Sequence, residues 1–315
     1  MSDERSLDWP RWVWFALAGV AAVDVLWLAL TPLSLAPKDI PTLVRTVLLC
    51  GVLLGGAYHF RQRPTFFMLL SGIAITLGAW PLLRILNHLT MTIPMPIADG
   101  SLAAADAAIG FDWVSYVLWM DAHPFLLRAT EMAYQNLTQY SSAAFLLLLV
   151  FKGPERAREF VLLFLAAAIL TIVLGMLMPA RAAMAHYAPP PYLFDHVLAG
   201  KTGTECVRLL EELRSDPFHV LDLQHLPGMV SIPSFHTAMG VILIWCSRGK
   251  PLLFVLSLAI NMTMIAGTPV WGAHYAIDIL AGTALALGLI LLFNWQAAAI
   301  LAARLPQRTA PLHGV

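Results

Sequence analysis

Two histidines and a carboxylate stand where apolar segments begin in the C-terminal third of the chain. His274 is followed four residues later by Asp278, and His236 closes the sequence Pro-Ser-Phe-His at 233–236. Residues i and i+4 share one face of a helix, so Asp278 can accept a hydrogen bond from one imidazole nitrogen of His274. This bond fixes the tautomer and leaves the other nitrogen free. The pattern indicates a histidine nucleophile.

The sequence before His236 contains groups suited to an acid and to an anion site. Pro233 suits the first turn of a helix, where its missing N–H is not needed, and the free N–H groups there can hold an anion. Ser234 adds a hydroxyl. Protonated His236 can donate to a leaving oxygen, a contribution of about 10²–10⁴-fold in rate. Taken singly, the two stretches also fit ordinary roles, as a polar pair on a helix surface and as a helix cap with an interfacial histidine.

Membrane-spanning helices must position these groups. The chain is 59% apolar and 12% charged, with a mean hydropathy of +0.74, whereas soluble domains carry about 25% charged residues. A crossing needs about 20 apolar residues. Spans two apart begin at the same membrane face, so the two histidines are expected to meet there. The predicted fold class is an all-α, polytopic membrane helix bundle with eight spans, near 12–31, 42–59, 65–86, 132–151, 160–179, 233–247, 252–268 and 275–294.

The distribution of Lys and Arg predicts the orientation, because these residues are enriched in cytoplasmic loops. A cytoplasmic N-terminus leaves both termini inside and both histidines outside. It also leaves eleven of the nineteen basic residues inside, namely Arg5, Arg11, Arg61, Arg63, Lys152, Arg156, Arg158, Arg248, Lys250, Arg304 and Arg308. We expect a bacterial inner membrane protein with its site facing the periplasm, although a Golgi-type lumenal placement obeys the same topology.

Composition also bears on partners and cofactors. The net charge of zero gives no indication of a nucleic-acid partner. The three cysteines, Cys50, Cys206 and Cys246, lack metal-type spacing, so neither a zinc site nor a disulfide framework is predicted. The partner expected from composition is the bilayer, and the oligomeric state is left open.

Together, the two stretches resemble the type 2 phosphatidic acid phosphatase superfamily of membrane phosphatases and phosphotransferases. Its P-S-x-H signature is met at 233–236, and the end of its S-R-x5-H-x3-D signature is met at His274 and Asp278. Gly267 and Thr268 stand where that signature has Ser-Arg. Its K-x6-R-P signature is matched only in spacing, because Leu209 replaces the proline.

In lacking this arginine, the sequence resembles the branch that contains inositol phosphorylceramide synthase and related inositol phosphotransferases. The segments 230–238 and 268–282 resemble bacterial members of that branch. The resemblance implies a six-helix-type phosphatase or phosphotransferase core over residues 101–295. Residues 1–100 would then add further N-terminal spans, and residues 296–315 would form a cytoplasmic tail.

The resemblance also implies roles for single residues. His274 would attack phosphorus, Asp278 would orient it, and His236 would protonate the departing oxygen. Ser234 and nearby backbone N–H groups would hold the phosphoryl oxygens. The substrate would be a phospholipid or a lipid phosphate, and the resulting phosphohistidine would pass its phosphoryl group to water or to an alcohol. Members of the family need no metal or other cofactor for these steps.

Another group must bind the phosphate in place of the missing arginine, and the headgroup also needs residues that bind it. Arg181 is the first candidate for the phosphate, followed by Arg208 and Lys201, although each also fits an ordinary interfacial cation. Glu131 and Gln135 share a helical stripe with Gln139. Polar groups facing lipid are costly, so the stripe is expected to face protein or a watery cavity, where it could bind a hydroxyl-rich headgroup. Interhelical hydrogen bonding is the alternative.

Three functions remain open at this stage. A phosphotransferase would move a phosphorylated headgroup, such as phosphoinositol, between lipids. A phosphatase would release phosphate from phosphatidate or a polyprenyl phosphate. A non-enzymatic transporter or structural protein would use the histidines for proton relay or packing. Thr268 and the polar stripe favour headgroup transfer.

Overall fold

A computed structural model describes residues 8–197 and 204–304 of the chain. Thirteen α-helices account for most of this part, so the predicted all-α class is confirmed. They are α1 Arg11–Leu30, α2 Ile40–His59, α3 Pro64–Met91, α4 Asp99–Ala108, α5 Trp113–Asp121, α6 Pro124–Gln135, α7 Leu137–Lys152, α8 Pro154–Leu177, α9 Ala183–Tyr187, α10 Thr204–Ser215, α11 Phe235–Ser247, α12 Pro251–Trp271 and α13 Ala276–Arg304.

Six of these helices are long and apolar enough to cross a membrane, namely α1, α2 with the turn before it, α3, α8, α12 and α13 as far as Trp295. The other two predicted spans coincide with the shorter apolar helices α7 and α11. The chain is therefore a polytopic membrane protein of α-helices. Pro81 lies inside α3, and the helix continues through it.

The predicted span at 132–151 is not one helix. α6 ends at Gln135 and α7 begins at Leu137, because the backbone of Asn136 leaves helical geometry with φ −103° and ψ 21°. The Asn136 side chain donates to the carbonyl of Met132 at 2.8 Å. The interruption separates Glu131 and Gln135 from the helix that carries Gln139.

The largest apolar core lies between α3, α7, α8, α11, α12 and α13. α8 contacts α3, α7, α11 and α13, and α11 contacts α12 and α13. Buried side chains from these helices form one cluster that includes Leu163, Met239, Ile242, Met264 and Ala286. α1 and α2 pack against α3, and α2 is largely exposed. The division of the chain at residue 100 stays a prediction.

A second apolar cluster lies where α12 ends and α13 begins, and it gathers the short helices around that point. Trp113 and Tyr275 are fully buried in it. The indole of Trp113 donates to the carbonyl of Pro269 at 3.1 Å. The hydroxyl of Tyr116 donates to the backbone carbonyl of Ala266 at 2.6 Å. These bonds fasten α5 to the end of α12.

The helix α10 packs its apolar residues on the C-terminal end of α3. Nearby, two residues at 34–35 pair in parallel with two at 220–221, as strands β1 and β2. Lys38 binds Asp222 at 2.7 Å, and this hydrogen bond, with a second from His225, lowers the pKa of Asp222 to about 2. The contacts tie the segment after α1 to the segment before α11.

Candidate active site

His274 lies in the turn between α12 and α13, with its ring held by the first turn of α13. The Nδ1 atom of His274 is 3.1 Å from Oδ2 of Asp278. His274 is 5% exposed and Asp278 is fully buried. Because Nδ1 is occupied by the carboxylate, Nε2 is the ring nitrogen left to react.

The same carboxylate oxygen binds two further donors. Oδ2 of Asp278 accepts from the Ser231 hydroxyl at 2.6 Å and from the backbone N–H of Tyr275 at 3.0 Å. In addition, the Asp278 carbonyl accepts from the backbone N–H of Ser234 at 3.0 Å. The two sequence stretches are thus joined through Asp278. No role was predicted for Ser231, and only its position three residues before Ser234 could have indicated one.

Tyr134 of α6 links the two histidines. Its ring stacks on the His236 ring with centroids 3.9 Å apart and planes 10° apart. Its hydroxyl lies 2.4 Å from the point where a Cβ would stand on Gly272, and His274 Nε2 lies 3.0 Å from that point. Tyr134 therefore contacts one histidine through its ring and places its hydroxyl near Nε2 of the other.

Ser234 caps α11 and is fully buried. Its hydroxyl oxygen is 3.4 Å from the backbone N–H of Thr237 and 3.2 Å from the Thr237 hydroxyl, which donates to it. This is the helix-cap role that the sequence left open as an alternative. The helices are close here, because a Cβ on Gly282 would stand 2.4 Å from the Ser234 carbonyl oxygen.

Thr268, at the position of the family's arginine, turns its polar atoms to the backbone. It is fully buried, and its hydroxyl donates to the carbonyl of Met264 at 3.0 Å. Its own carbonyl is 3.5 Å from the donating N–H of His274. The side chain thus shapes the turn and brings no charge to the site.

Arg181 reaches the neighbourhood of the site through its backbone. Its N–H donates to Asp99 at 2.8 Å, and two residues later Ala183 donates to the carbonyl of Ala273 at 2.8 Å. The Arg181 side chain is half exposed and lies 3.4 Å from Glu211 of α10. Its guanidinium is therefore paired.

The structure places the remaining candidate cations apart from the histidines or does not describe them. Arg208 pairs with Glu212 at 2.6 Å and lines a separate cleft of about 220 Å³ with Asp222 and His225. The residues that line this cleft include neither histidine of the candidate site, and the binding of phosphate by Arg208 stays a prediction. Lys201 lies outside the described residues.

The first residue of the predicted polar stripe, Glu131, has different surroundings from the other two. Glu131 pairs with Arg128 at 2.5 Å and lines a cleft of about 190 Å³. The cleft is also bordered by His196 and Trp271, which immediately precedes Gly272. Gln135 and Gln139 are instead exposed. The break at Asn136 puts Gln139 on a different helix from Glu131 and Gln135, so the three residues do not form one continuous stripe, and headgroup binding by Gln135 stays a prediction.

Two aspartates of α4 brace the start of α13, and sequence analysis missed both. Asp106 accepts from the backbone N–H groups of Ala276 and Ile277, each at 2.9 Å, and Asp99 accepts from the Tyr275 hydroxyl at 2.8 Å. A carboxylate is favoured at a helix N-terminus. Burial raises the pKa of Asp106, and the two N–H groups act against that shift. The spacing of seven residues between Asp99 and Asp106 on one helix could have indicated this shared role.

Within residues 8–197 and 204–304, no group of three His, Cys, Asp or Glu side chains is arranged to hold a metal ion. The arrangement provides an imidazole whose Nδ1 is held by a buried carboxylate, and a second imidazole stacked on the tyrosine whose hydroxyl lies near the first ring. These are groups for nucleophilic and acid–base chemistry.

Comparison with protein families gives a match over residues 100–292, more than half of the chain, to the model described as PAP2 superfamily. The matched range contains His236, His274 and Asp278. Comparison with curated proteins and with solved structures finds no significant match. From the family match, which covers both histidine stretches and the helices that hold them, the chain belongs to the PAP2 superfamily, a group of phosphatases and phosphotransferases.

Proposed function

We propose that the protein is a membrane phosphotransferase that moves a phosphorylated headgroup, of the phosphoinositol class, from one lipid to another through a phosphohistidine. One observation carries this proposal. Asp278 occupies Nδ1 of His274, while Nε2 lies near the hydroxyl of Tyr134, whose ring stacks on His236. A nucleophile and an acid on opposite sides of one phosphorus atom are what such a reaction needs.

The proposed reaction has two steps. Nε2 of His274 bonds to phosphorus while the bond from phosphorus to the lipid oxygen breaks, and His236 gives that oxygen its proton. An acceptor hydroxyl then attacks the phosphohistidine, its proton passes to His236, and the bond between Nε2 and phosphorus breaks. Asp278 stabilises the charge on the His274 ring in both steps.

Transfer of a headgroup is favoured over hydrolysis by the surroundings of the site. Thr268 brings no charge where ordinary members have an arginine, as in the inositol phosphorylceramide synthase-like branch, to which we assign the chain. The cleft next to Trp271 also offers Arg128, Glu131 and His196, and a polyhydroxylated headgroup binds to such charged and polar groups. In this proposal, Glu131 holds the headgroup.

Hydrolysis is the second candidate. Water would take the place of the acceptor alcohol, and the same phosphohistidine would form. The exposure of Arg128, at 70% of its side chain, supports this alternative because it leaves the rim of the cleft open to solvent.

The test is incubation of the purified protein with mixed radiolabelled phospholipids, with and without ceramide, diacylglycerol or inositol. A new labelled phospholipid is expected, whereas free phosphate without one would favour the phosphatase. His274→Ala should abolish turnover and acid-labile phosphoenzyme. His225→Ala is the matched control, because His225 also pairs with an aspartate, at 2.8 Å, but is exposed on the separate cleft. Full activity of His274→Ala would remove the proposed nucleophile, whereas no product from any lipid with the wild-type protein would favour a non-enzymatic role.

A further inference from the structure

We infer that the Tyr134 hydroxyl is the hydrogen-bond donor to the phosphoryl oxygens that stands in for the missing motif arginine. The inference rests on the proposed function, because it assigns a role in the phosphoryl transfer at His274. Tyr134 comes from α6, far in sequence from both histidine stretches.

The hydroxyl is in the right place for this role. Its oxygen and the Nε2 atom of His274 lie 2.4 Å and 3.0 Å from one point, the position of a Cβ on Gly272. A side chain at 272 would collide with both groups, so glycine allows them to lie this close together. A phosphorus atom bonded to Nε2 would carry its oxygens into reach of the hydroxyl.

The position of the hydroxyl is fixed by the ring that carries it. The Tyr134 ring lies flat on the His236 ring, 3.9 Å away, in an arrangement that restricts both. A donor held before the reaction begins stabilises the charge that develops on phosphoryl oxygens without a cost of reorganisation. The same stack keeps His236 over the leaving oxygen.

The polar groups of the neighbouring candidates for this role have other partners. The Thr268 hydroxyl donates to the carbonyl of Met264. The guanidinium of Arg181 lies 3.4 Å from Glu211. Ser234 serves as the buried cap of α11. Tyr134 is thus the side chain of this set whose polar atom borders the reactive nitrogen.

The experiment compares Tyr134→Phe, which keeps the ring stack, with Tyr116→Phe and His274→Ala. Tyr116 is the matched control, because its hydroxyl donates to the carbonyl of Ala266 on α12 and has a structural role. The readouts are kcat and KM on vesicles of phosphatidate and phosphatidylinositol, binding of orthovanadate as a mimic of the transferred group, and the melting temperature in detergent.

We expect kcat of Tyr134→Phe to fall about 100-fold, with KM and melting temperature unchanged and vanadate binding weakened. Tyr116→Phe should keep kcat and melt at a lower temperature. Wild-type kcat and vanadate binding in Tyr134→Phe, with His274→Ala inactive, would overturn the inference alone. A loss of activity in Tyr134→Phe that only parallels a loss of thermal stability would also overturn it. Activity in His274→Ala would overturn the proposed function itself.

Discussion

At the scale of single residues, the site depends on how Asp278 is held. One carboxylate oxygen binds the His274 ring, the Ser231 hydroxyl and the Tyr275 backbone N–H. The bonds from Ser231 and Tyr275 fix the carboxylate, and the fixed carboxylate sets the tautomer of His274. A small change at this oxygen should therefore have a large effect on the reaction.

Asp278→Asn is predicted to lower kcat by about 10³–10⁴-fold, because the amide cannot keep His274 in the reactive tautomer. Ser231→Ala is the matched comparison. It removes one hydrogen bond to a carboxylate, worth about 1.5–3 kcal/mol, and should lower kcat by about 10–150-fold. Steady-state rates and the yield of acid-labile phosphoenzyme measure both effects. Equal rates for Asp278→Asn and wild type would exclude Asp278 as the group that orients His274.

His236→Ala should slow substrates according to their leaving group. A poor leaving oxygen needs a proton as its bond breaks, whereas a good one leaves without it. Activity should therefore be lost on an alkyl lipid phosphate and largely kept on an aryl phosphate, with wild type and His225→Ala as references. If both substrates suffer alike, His236 is not the acid.

At the scale of helices, the contact between α11 and α13 aligns the two histidine stretches. A Cβ on Gly282 would stand 2.4 Å from the Ser234 carbonyl oxygen and 3.2 Å from the carbonyl carbon. Both are backbone atoms, so they cannot move aside as the end of a side chain would. The helix that carries His236 can approach α13 this closely only because residue 282 is glycine.

Gly282→Ala is predicted to destabilise the protein by about 1–3 kcal/mol, the usual cost of overpacking, and to lower kcat by shifting His236. Gly288→Ala in the same helix is the control, because nothing lies within 4 Å of its added Cβ. The control should keep its activity and its melting temperature. Thermal unfolding in detergent and kcat test the pair, and the same result for both variants would refute the proposed close contact.

At the scale of the whole molecule, the position of the site depends on the number of crossings. α12 runs from Pro251 to Trp271, just before the turn that holds His274, and its 21 residues span about 30 Å. The connection between α11 and α12 should therefore face the opposite side of the membrane from the histidines. The placement of the histidines at the periplasmic face of a bacterial inner membrane is our proposal.

Cysteine labelling in intact bacterial cells can test that proposal. In a variant without its three native cysteines, Ser101→Cys on α4 should react with a membrane-impermeant maleimide. Lys250→Cys should react only after the cells are permeabilised, since Ser101 and Lys250 are both exposed but on opposite faces of the predicted topology. The reverse pattern would invert the orientation, and labelling of both from outside would contradict the number of crossings.

The sequence by itself determined the membrane class, the eight apolar segments and the pairing of His274 with Asp278. These follow from local properties, because a bilayer requires long apolar helices and a helix places residues four apart on one face. The spacing of two spans also predicted that His236 and His274 begin on one side. The break at Asn136 was not predicted, since the spacing of Glu131, Gln135 and Gln139 fits one continuous helix.

Only the tertiary structure decided which groups meet around the histidines. The stack of Tyr134 on His236, the bond from Ser231 to Asp278 and the close approach at Gly282 join residues that are distant along the chain. No local period encodes such contacts, because they depend on how helices pack in three dimensions. The pairing of Arg181 with Glu211 is of the same kind, and for this reason charge alone could not identify the partner of the phosphate.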